Sequence, residues 1–152
     1  MKPVEVIAES NNFTAINIGN LDQLMEHSTI HPKSHQEIVG KIFLKELTKA
    51  SGTEISFQML PPKTELPYFH AHRKNEETYI IIKGLGYYQV DEEHFPIREG
   101  SVIRVAPNGK RSIYNSSDEP MIYITIQSKE NSLEEYSADD GDRIDVTPKW
   151  YW

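Results

Sequence analysis

The chain has 152 residues, a formal net charge of −7 at pH 7 and no cysteine. This length predicts one well-cored domain, and the acidic balance argues against a nucleic-acid partner or an anionic membrane surface, where basic patches supply most of the affinity. The lack of cysteine excludes disulfides, thiolate metal ligands and a thiol nucleophile.

Residues 1–40 predict an N-terminal arm with short strands and a loop. Apolar runs at 4–8 and 13–18, separated by Asn, Ser and Gly, predict one or two edge strands, and residues 21–27 predict a helical turn with Asn20 as its N-cap. No stretch of the sequence has the apolar character of a signal peptide or of a membrane span, so we expect a cytoplasmic protein without a membrane partner.

Three histidines in the arm are spaced four residues apart, which on a continuous helix would place them on one face. Pro32 interrupts such a helix, and the neighbouring serines and threonine favour a loop. We therefore interpret His27, His31 and His35 as part of an exposed polar loop.

Residues 41–128 predict short β-strands throughout. The predicted strands are 41–47, 53–60, 78–82, 87–90, 95–97, 101–106, 111–115 and 121–127, with a further extended segment at the histidines described below. Many short strands separated by Gly, Pro and Asn turns are typical of an antiparallel sandwich or barrel, and the pattern lacks the long helices of a parallel α/β fold. Arg104, in the middle of a predicted strand, is expected to face solvent or a dimer contact.

Residues 129–152 form an acidic tail that ends in three aromatics, Trp150, Tyr151 and Trp152. The charged part is expected to be a solvated tail or a short helix near residues 133–136. The terminal aromatics need a place to bury, so we expect them to pack against the barrel or a second subunit. Arm, barrel and tail are predicted to belong to one structural domain.

The segment PYFHAHRKNEETYIIIKG, residues 67–84, combines two histidines, two glutamates and an apolar strand. His70 and His72 would share one face of an extended strand, and a short polar turn would return the next strand so that a carboxylate meets the imidazoles. Two imidazoles and a carboxylate suit a divalent transition metal and leave coordination positions open. The alternative is a pair of surface histidines on an edge strand.

The spacing H-x-H, four residues, Glu, six residues, Gly resembles the first conserved motif of the cupin superfamily. In that family the two histidines and the glutamate bind a metal inside a small β-barrel. The resemblance implies an all-β, antiparallel double-stranded β-helix or jelly-roll barrel, with His70, His72 and Glu77 as metal ligands. Glu76 lies one residue too early, and a one-residue slip turns a strand side chain to the opposite face.

Residues 100–115, GSVIRVAPNGKRSIYN, resemble the second cupin motif from its opening glycine to its closing asparagine. An ungapped comparison places Arg111 at the position of the family's fourth histidine ligand and Asn108 at a turn glycine. Asn is a tolerable exchange there because it also adopts left-handed conformations. Anchoring on the turn instead places Ser112 at the ligand position, and on either comparison the fourth histidine is missing.

An arginine cannot ligate a metal, because its guanidinium stays protonated and offers only donors. Arg111 could receive an anionic substrate group beside a bound metal, pair with Glu77 in a site without metal, or point to solvent. Tyr79 and Ile81 share the face of Glu77 by alternation and are expected to line the cavity. Tyr68 is a further candidate for substrate binding.

These residues lead to the hypothesis of a small cupin that binds a divalent transition metal and acts on or binds a small organic molecule, anionic if Arg111 receives it. Iron, manganese, zinc and nickel are not distinguished, and such an enzyme would be a dioxygenase, isomerase or decarboxylase.

Two alternatives need no metal: a non-catalytic small-molecule-binding barrel, and a sugar isomerase or epimerase of the kind some cupins represent. In the second, His70 or His72 would be the base and Tyr79 or Tyr68 the acid. Barrels of this family often pair, so a homodimer is expected.

Overall fold

The computed structural model describes residues 2–150 as strands joined by short loops, with little helix. In chain order the strands are β1 (Glu5–Ser10), β2 (Phe13–Asn17), β3 (Ser28–Ile30), β4 (Glu37–Val39), β5 (Lys41–Phe43), β6 (Glu54–Leu60), β7 (Asn75–Lys83), β8 (Leu85–Val90), β9 (Glu93–Arg98), β10 (Val102–Val105), β11 (Arg111–Tyr114) and β12 (Met121–Lys129). A 3₁₀ helix spans Leu21–Glu26, and a one-turn helix, α1, spans Lys45–Thr48.

Two antiparallel sheets form the body of the protein. The larger sheet has the strand order β10-β7-β12-β6-β5 and the smaller has the order β11-β8-β9, while β1-β2 and β3-β4 are separate hairpins. The main core consists of buried side chains from both sheets: Leu60, Tyr79, Ile81, Tyr88, Ile97, Ile103, Val105, Ile113, Met121 and Tyr123. The predicted all-β, antiparallel jelly-roll fold is therefore confirmed.

A second core covers the outer face of the larger sheet. Leu24 of the 3₁₀ helix is 1% exposed and packs with Ile42, Met59 and Ile122. The helix begins as predicted, because the Asn20 side chain accepts a hydrogen bond from the backbone N–H of Asp22 at 2.9 Å. Consequently the inner face of the larger sheet is left to form the main core and the candidate site.

The histidine segment does not form the strand that the sequence predicts. The residues between β6 and β7 include three prolines, at 61, 62 and 67, and pair with the smaller sheet through isolated bridges, His70 with Arg111 and Glu65 with Tyr114, rather than through a continuous ladder. Proline has no N–H to give to a ladder, so a continuous strand is interrupted there. The histidines are therefore carried by a loop, called the histidine loop below, which spans residues 61–74.

Two other expectations need correction. The predicted strand 41–47 ends at Phe43, because the Glu54 carboxylate accepts hydrogen bonds from the backbone N–H groups of Leu44 and Lys45 and starts helix α1. His27 is not in an exposed loop: it is 2% exposed, and its Nε2 lies 2.8 Å from the carbonyl oxygen of Ile18.

The C-terminal tail contains no helix near residues 133–136, and residues 131–150 are exposed throughout. Trp150 is 76% exposed and does not pack on the barrel, while Tyr151 and Trp152 lie outside the described residues. No helix within residues 2–150 combines the length and apolar character needed to cross a membrane.

Arg104 faces solvent, as one of its two predicted placements requires. Its side chain is 49% exposed and contacts two carboxylates, with Nε 2.8 Å from Glu76 Oε2 and Nη2 3.2 Å from Glu130 Oε1. Exposed ion pairs of this kind contribute little to stability, so we assign Arg104 no larger role.

Asn115, the last residue of the second motif, holds the connections at one end of the barrel together. It is fully buried, and its Nδ2 donates to the carbonyl oxygens of Leu60, Pro61 and Glu119 at 3.1, 3.0 and 2.7 Å. Replacement Asn115→Ala is expected to lower the free energy of unfolding by about 3 kcal/mol, because buried carbonyls lose their donor. Urea denaturation measures this loss, with Asn12→Ala in the exposed β1–β2 turn as the control variant. Equal unfolding midpoints for the two variants would contradict the prediction.

Candidate metal centre

Three side chains with metal-ligating atoms converge where the histidine loop crosses β7. One ligand atom from each of His70, His72 and Glu77 lies within 4.8 Å of the other two. His70 Nε2 is 3.3 Å from Glu77 Oε2, and His72 Nε2 is 3.1 Å from Glu77 Oε1. Ligand atoms that share one metal at bond lengths of about 2.1 Å lie roughly 3.0–3.4 Å apart, so both distances suit a shared ion.

The position of Glu77 on β7 decides which of the two glutamates belongs to the cluster. β7 lies between β10 and β12, where Glu77 is opposite Val105 and Gln127. The Glu77 residue is 5% exposed, whereas Glu76 points outward to Arg104. Strand alternation therefore selects Glu77 for the inner face, as the sequence predicts.

The Glu77 carboxylate is held in its charged form. Burial alone would raise its pKa, but the hydrogen bond from His70, the charge of His72 and the hydrogen bond from Tyr79 together lower the pKa of Glu77 to about 2. Tyr79 Oη donates to Glu77 Oε2 at 2.9 Å. An ionised carboxylate is the form that ligates a divalent metal.

The protonation of His72 is also suited to ligation. Its pKa is lowered, chiefly because burial disfavours the imidazolium, and the nearby charges of Arg111 and His70 act in the same direction against the opposing effect of Glu77. Neutral imidazole is the form that binds metal ions.

The backbone of the second motif positions the histidine loop. The N–H of His70 donates to the Arg111 carbonyl at 3.2 Å, and the N–H of Arg111 donates to the His70 carbonyl at 3.0 Å. The N–H of Asn108 donates to the His72 carbonyl at 2.7 Å. Asn108 has φ of 69°, the left-handed conformation that its place at the family's turn glycine requires. The backbone of both histidines is thus fixed against the start of β11 and the β10–β11 turn.

Arg111 is fully buried, which excludes the solvent-facing alternative. Its Nη1 lies 3.8 Å from Glu77 Oε2 and its Nη2 lies 3.5 Å from the Ala106 carbonyl oxygen. Neither Nε nor Nη1 has a hydrogen-bond partner among residues 2–150. Ser112 donates instead to the Leu66 carbonyl on the other side of β11, so Arg111 holds the inner position.

A cavity of about 80 Å³ opens beside the cluster and is lined in part by His70, Glu77, Tyr79 and Tyr68. Tyr79 is buried with its pKa well above the ordinary value, mainly because of desolvation, whereas Tyr68 is 52% exposed at the edge of the cavity. Ile81 does not line the cavity as expected, since its side chain is buried in the main core.

Arg111 likewise has no surface in this cavity, although the sequence offered it as a receiver of an anionic group. It is 0% exposed and lies behind Glu77 rather than beside a space that a molecule could enter. The positively charged side chain that does line the cavity is Lys41 of β5, which the sequence presents only as the first residue of a strand. Its place follows from the register of β5 on β6, for which the sequence carries no separate signal.

Two antiparallel sheets that enclose an inward-facing His-His-Glu cluster define a jelly-roll barrel with a metal-type site. The chain belongs to the cupin family: residues 56–127 match the family model described as a cupin domain. It is 36% identical to a cupin protein from Bacteroides fragilis of known structure, over 68% of this chain and 88% of that chain, with a TM-score of 0.66.

Two further solved structures share the fold at lower identity. A conserved protein with a double-stranded β-helix domain from Klebsiella pneumoniae is 18% identical over 82% of this chain and 95% of its own, with a TM-score of 0.57. A predicted oxalate decarboxylase from Thermotoga maritima is 20% identical over 68% of this chain and 90% of its own, with a TM-score of 0.56. No curated protein matches the chain in sequence.

Proposed function

We propose that this cupin binds one divalent transition metal ion through His70, His72 and Glu77, and that the cavity beside the ion holds a small organic molecule. The observation that carries the proposal is the convergence of three ligand atoms within 4.8 Å around a buried carboxylate. A buried carboxylate whose pKa is about 2 keeps its negative charge at neutral pH, and a bound cation would compensate it.

The residues present fit such an ion. Two imidazole nitrogens and one carboxylate suit iron, manganese, zinc or nickel, and three protein ligands leave coordination positions for a small molecule. When bound, the metal would polarise an oxygen of that molecule or orient it, which is chemistry used by dioxygenases, isomerases and decarboxylases. The protein's own groups would fix the imidazoles, keep Glu77 ionised and retain the Tyr79 proton.

Elemental analysis of the purified protein, after dialysis without chelator and after reconstitution with each of the four metals, tests the proposal. We expect close to one metal per chain in the parent and a loss of stoichiometric metal in His72→Ala. His94→Ala is the matched control, because His94 is an exposed histidine on β9 and should leave metal content unchanged. A parent that takes up none of the four metals, or a His72→Ala variant that keeps full occupancy, would refute the ligand set.

A metal-free small-molecule-binding barrel is the second candidate, and Arg111 is the observation that favours it. Its guanidinium lies 3.8 Å from the Glu77 carboxylate and can balance that charge without an ion. This candidate predicts thermal stabilisation by a ligand in chelator-treated protein, together with no turnover. Stabilisation that depends on added metal would speak against it.

Metal-independent isomerase or epimerase chemistry has less support from the site. Burial holds the proton of Tyr79 and its hydroxyl already donates to Glu77, so Tyr79 is a weak acid for a substrate. Tyr68 is the remaining candidate acid. The likeness to a predicted oxalate decarboxylase, at 20% identity, concerns the fold and does not extend that protein's reaction to this chain.

A further inference from the structure

Lys41 lies on the inner face of the larger sheet, the face that also carries Glu77. In the β5–β6 ladder Lys41 is opposite Gln58, and in the β6–β12 ladder Gln58 is opposite Tyr123. Side chains opposite one another in adjacent strands point to the same face, so these three residues form one row across the sheet. All three line the cavity that His70 and Glu77 also line.

The Lys41 ammonium has no anionic partner within the described part of the chain. It makes no ion pair or hydrogen bond with any of residues 2–150, and its Nζ lies 4.8 Å from the centre of the Phe43 ring. Glu54, which also lines the cavity, already accepts two backbone N–H bonds at the start of α1. Desolvation lowers the pKa of Lys41, although Glu77 and Glu54 act against it.

A partly desolvated ammonium group lowers the stability of the folded protein unless an anion or another polar group compensates its charge. The exposed lysines of this chain are compensated in one of two ways: Lys83 and Lys49 are paired with Asp22 and Glu9 at 3.0 and 2.7 Å, and those without a partner among residues 2–150, such as Lys33, are solvated by water. The Phe43 ring and the carboxylates of Glu77 and Glu54 compensate Lys41 only in part, because none of them forms an ion pair with it. A cation that lines a cavity without an ion pair points to an anion supplied from outside the chain.

We propose that Lys41 receives the carboxylate of a small organic acid, which occupies this cavity and reaches the histidine–glutamate cluster with its other end. The contact between the other end of the acid and this cluster rests on the proposed function, in which the cluster holds a metal ion. The volume of about 80 Å³ is well below the roughly 300–1,000 Å³ of sites for drug-sized ligands, so the acid has few heavy atoms. A second polar group that can ligate a metal makes it a dicarboxylate or a hydroxy or keto acid.

Isothermal titration of the metal-loaded full chain with oxalate, malonate and succinate at low ionic strength tests this inference. At least one of the three should bind the parent, and Lys41→Met should weaken that binding by about 10- to 100-fold, the range expected for one charge-assisted hydrogen bond. Lys83→Met, which removes an outward-facing lysine of β7, should bind as the parent does. Lys41→Arg should restore part of the affinity because it keeps the charge.

Thermal unfolding without ligand separates a binding role from a structural one. Lys41→Met should unfold at the same temperature as the parent or higher, because it removes a partly desolvated charge and keeps the aliphatic stem. A marked drop in that temperature, equal acid binding by Lys41→Met and parent, or no binding of any of the three acids by the parent would each overturn the inference. Metal content, measured on the same samples, shows independently whether the proposed function fails.

Discussion

Replacing Glu77 with glutamine is expected to remove metal binding and about 3 kcal/mol of stability at neutral pH. Glutamine keeps the shape of the side chain but loses the charge that contacts His70, His72 and Arg111. The pKa of the carboxyl falls from 4.5 to about 2 on folding, and each unit is worth about 1.4 kcal/mol. Because Glu77 is 5% exposed, solvent screens this effect little. Breaking a buried ion pair costs a similar amount.

The matched control is Glu76→Gln, one residue earlier on the same strand and on the outer face. Its ion pair with Arg104 is exposed, so it should change stability by less than about 1 kcal/mol and leave metal content intact. Urea unfolding in the presence of chelator measures the change in stability without any contribution from bound metal, and elemental analysis measures the metal content. Two glutamate variants with equal midpoints and equal metal content would show that Glu77 has no special role.

The stability difference between the parent and Glu77→Gln should also depend on pH in a definite direction. A carboxyl whose pKa is lowered on folding contributes its full stability above the unfolded value of 4.5 and loses it as the pH falls towards about 2. The two proteins should therefore differ most near neutral pH and converge below pH 4.5. A difference that grows on acidification would contradict the assigned cause.

Replacing Arg111 with histidine is expected to raise metal affinity by at least about tenfold, which corresponds to about 1.4 kcal/mol. Arg111 holds the position at which the family has its fourth ligand, and its charge lies 3.8 Å from the carboxylate that would bind the ion. At an effective dielectric constant of about 20, a unit charge near a dication costs several kcal/mol. The substitution removes that repulsion and adds an imidazole nitrogen that can ligate the ion.

Arg111→Met separates the two contributions, because it removes the charge without adding a donor. We expect the order of affinity to be Arg111→His, then Arg111→Met, then the parent, in competition with a chelator of known strength. Both variants should lose some stability in the absence of metal, since Glu77 loses a buried cation. A parent that binds metal more tightly than both variants would mean that Arg111 assists the ion, contrary to this account.

The sequence predicted the fold and the cluster for reasons that can be traced to particular residues. Alternation on β7 is local and places Glu77 inside and Glu76 outside, so spacing alone was enough. The sequence left the burial of Arg111 as one of several alternatives, because a motif comparison gives the position of a residue in the motif but not the residues that surround it. The sequence did not reveal that Lys41 enters the same cavity, since that depends on the pairing of strands between residues far apart in the chain.

The histidine segment was predicted incorrectly as a strand, and the error has a physical cause. The H-x-H spacing is compatible with any extended backbone, and only the ladder partners decide whether such a segment becomes a strand. Prolines at 61, 62 and 67 have no N–H to donate, and the segment pairs with β11 through separate bridges at Glu65 and His70 rather than as a continuous strand. The convergence of the two imidazoles was nonetheless anticipated, because it requires only local extension at residues 70–72.

Three backbone hydrogen bonds join His70 to Arg111 of β11 and His72 to Asn108 of the β10–β11 turn, and they preorganise the histidine loop. A loop that is already fixed loses little conformational entropy when it closes on a ligand, so more of the interaction energy remains as affinity. The same bonds make the site dependent on the register of β11, because its first residue, Arg111, forms two of them. Affinity for the proposed metal and ligand would therefore depend partly on this main-chain pairing.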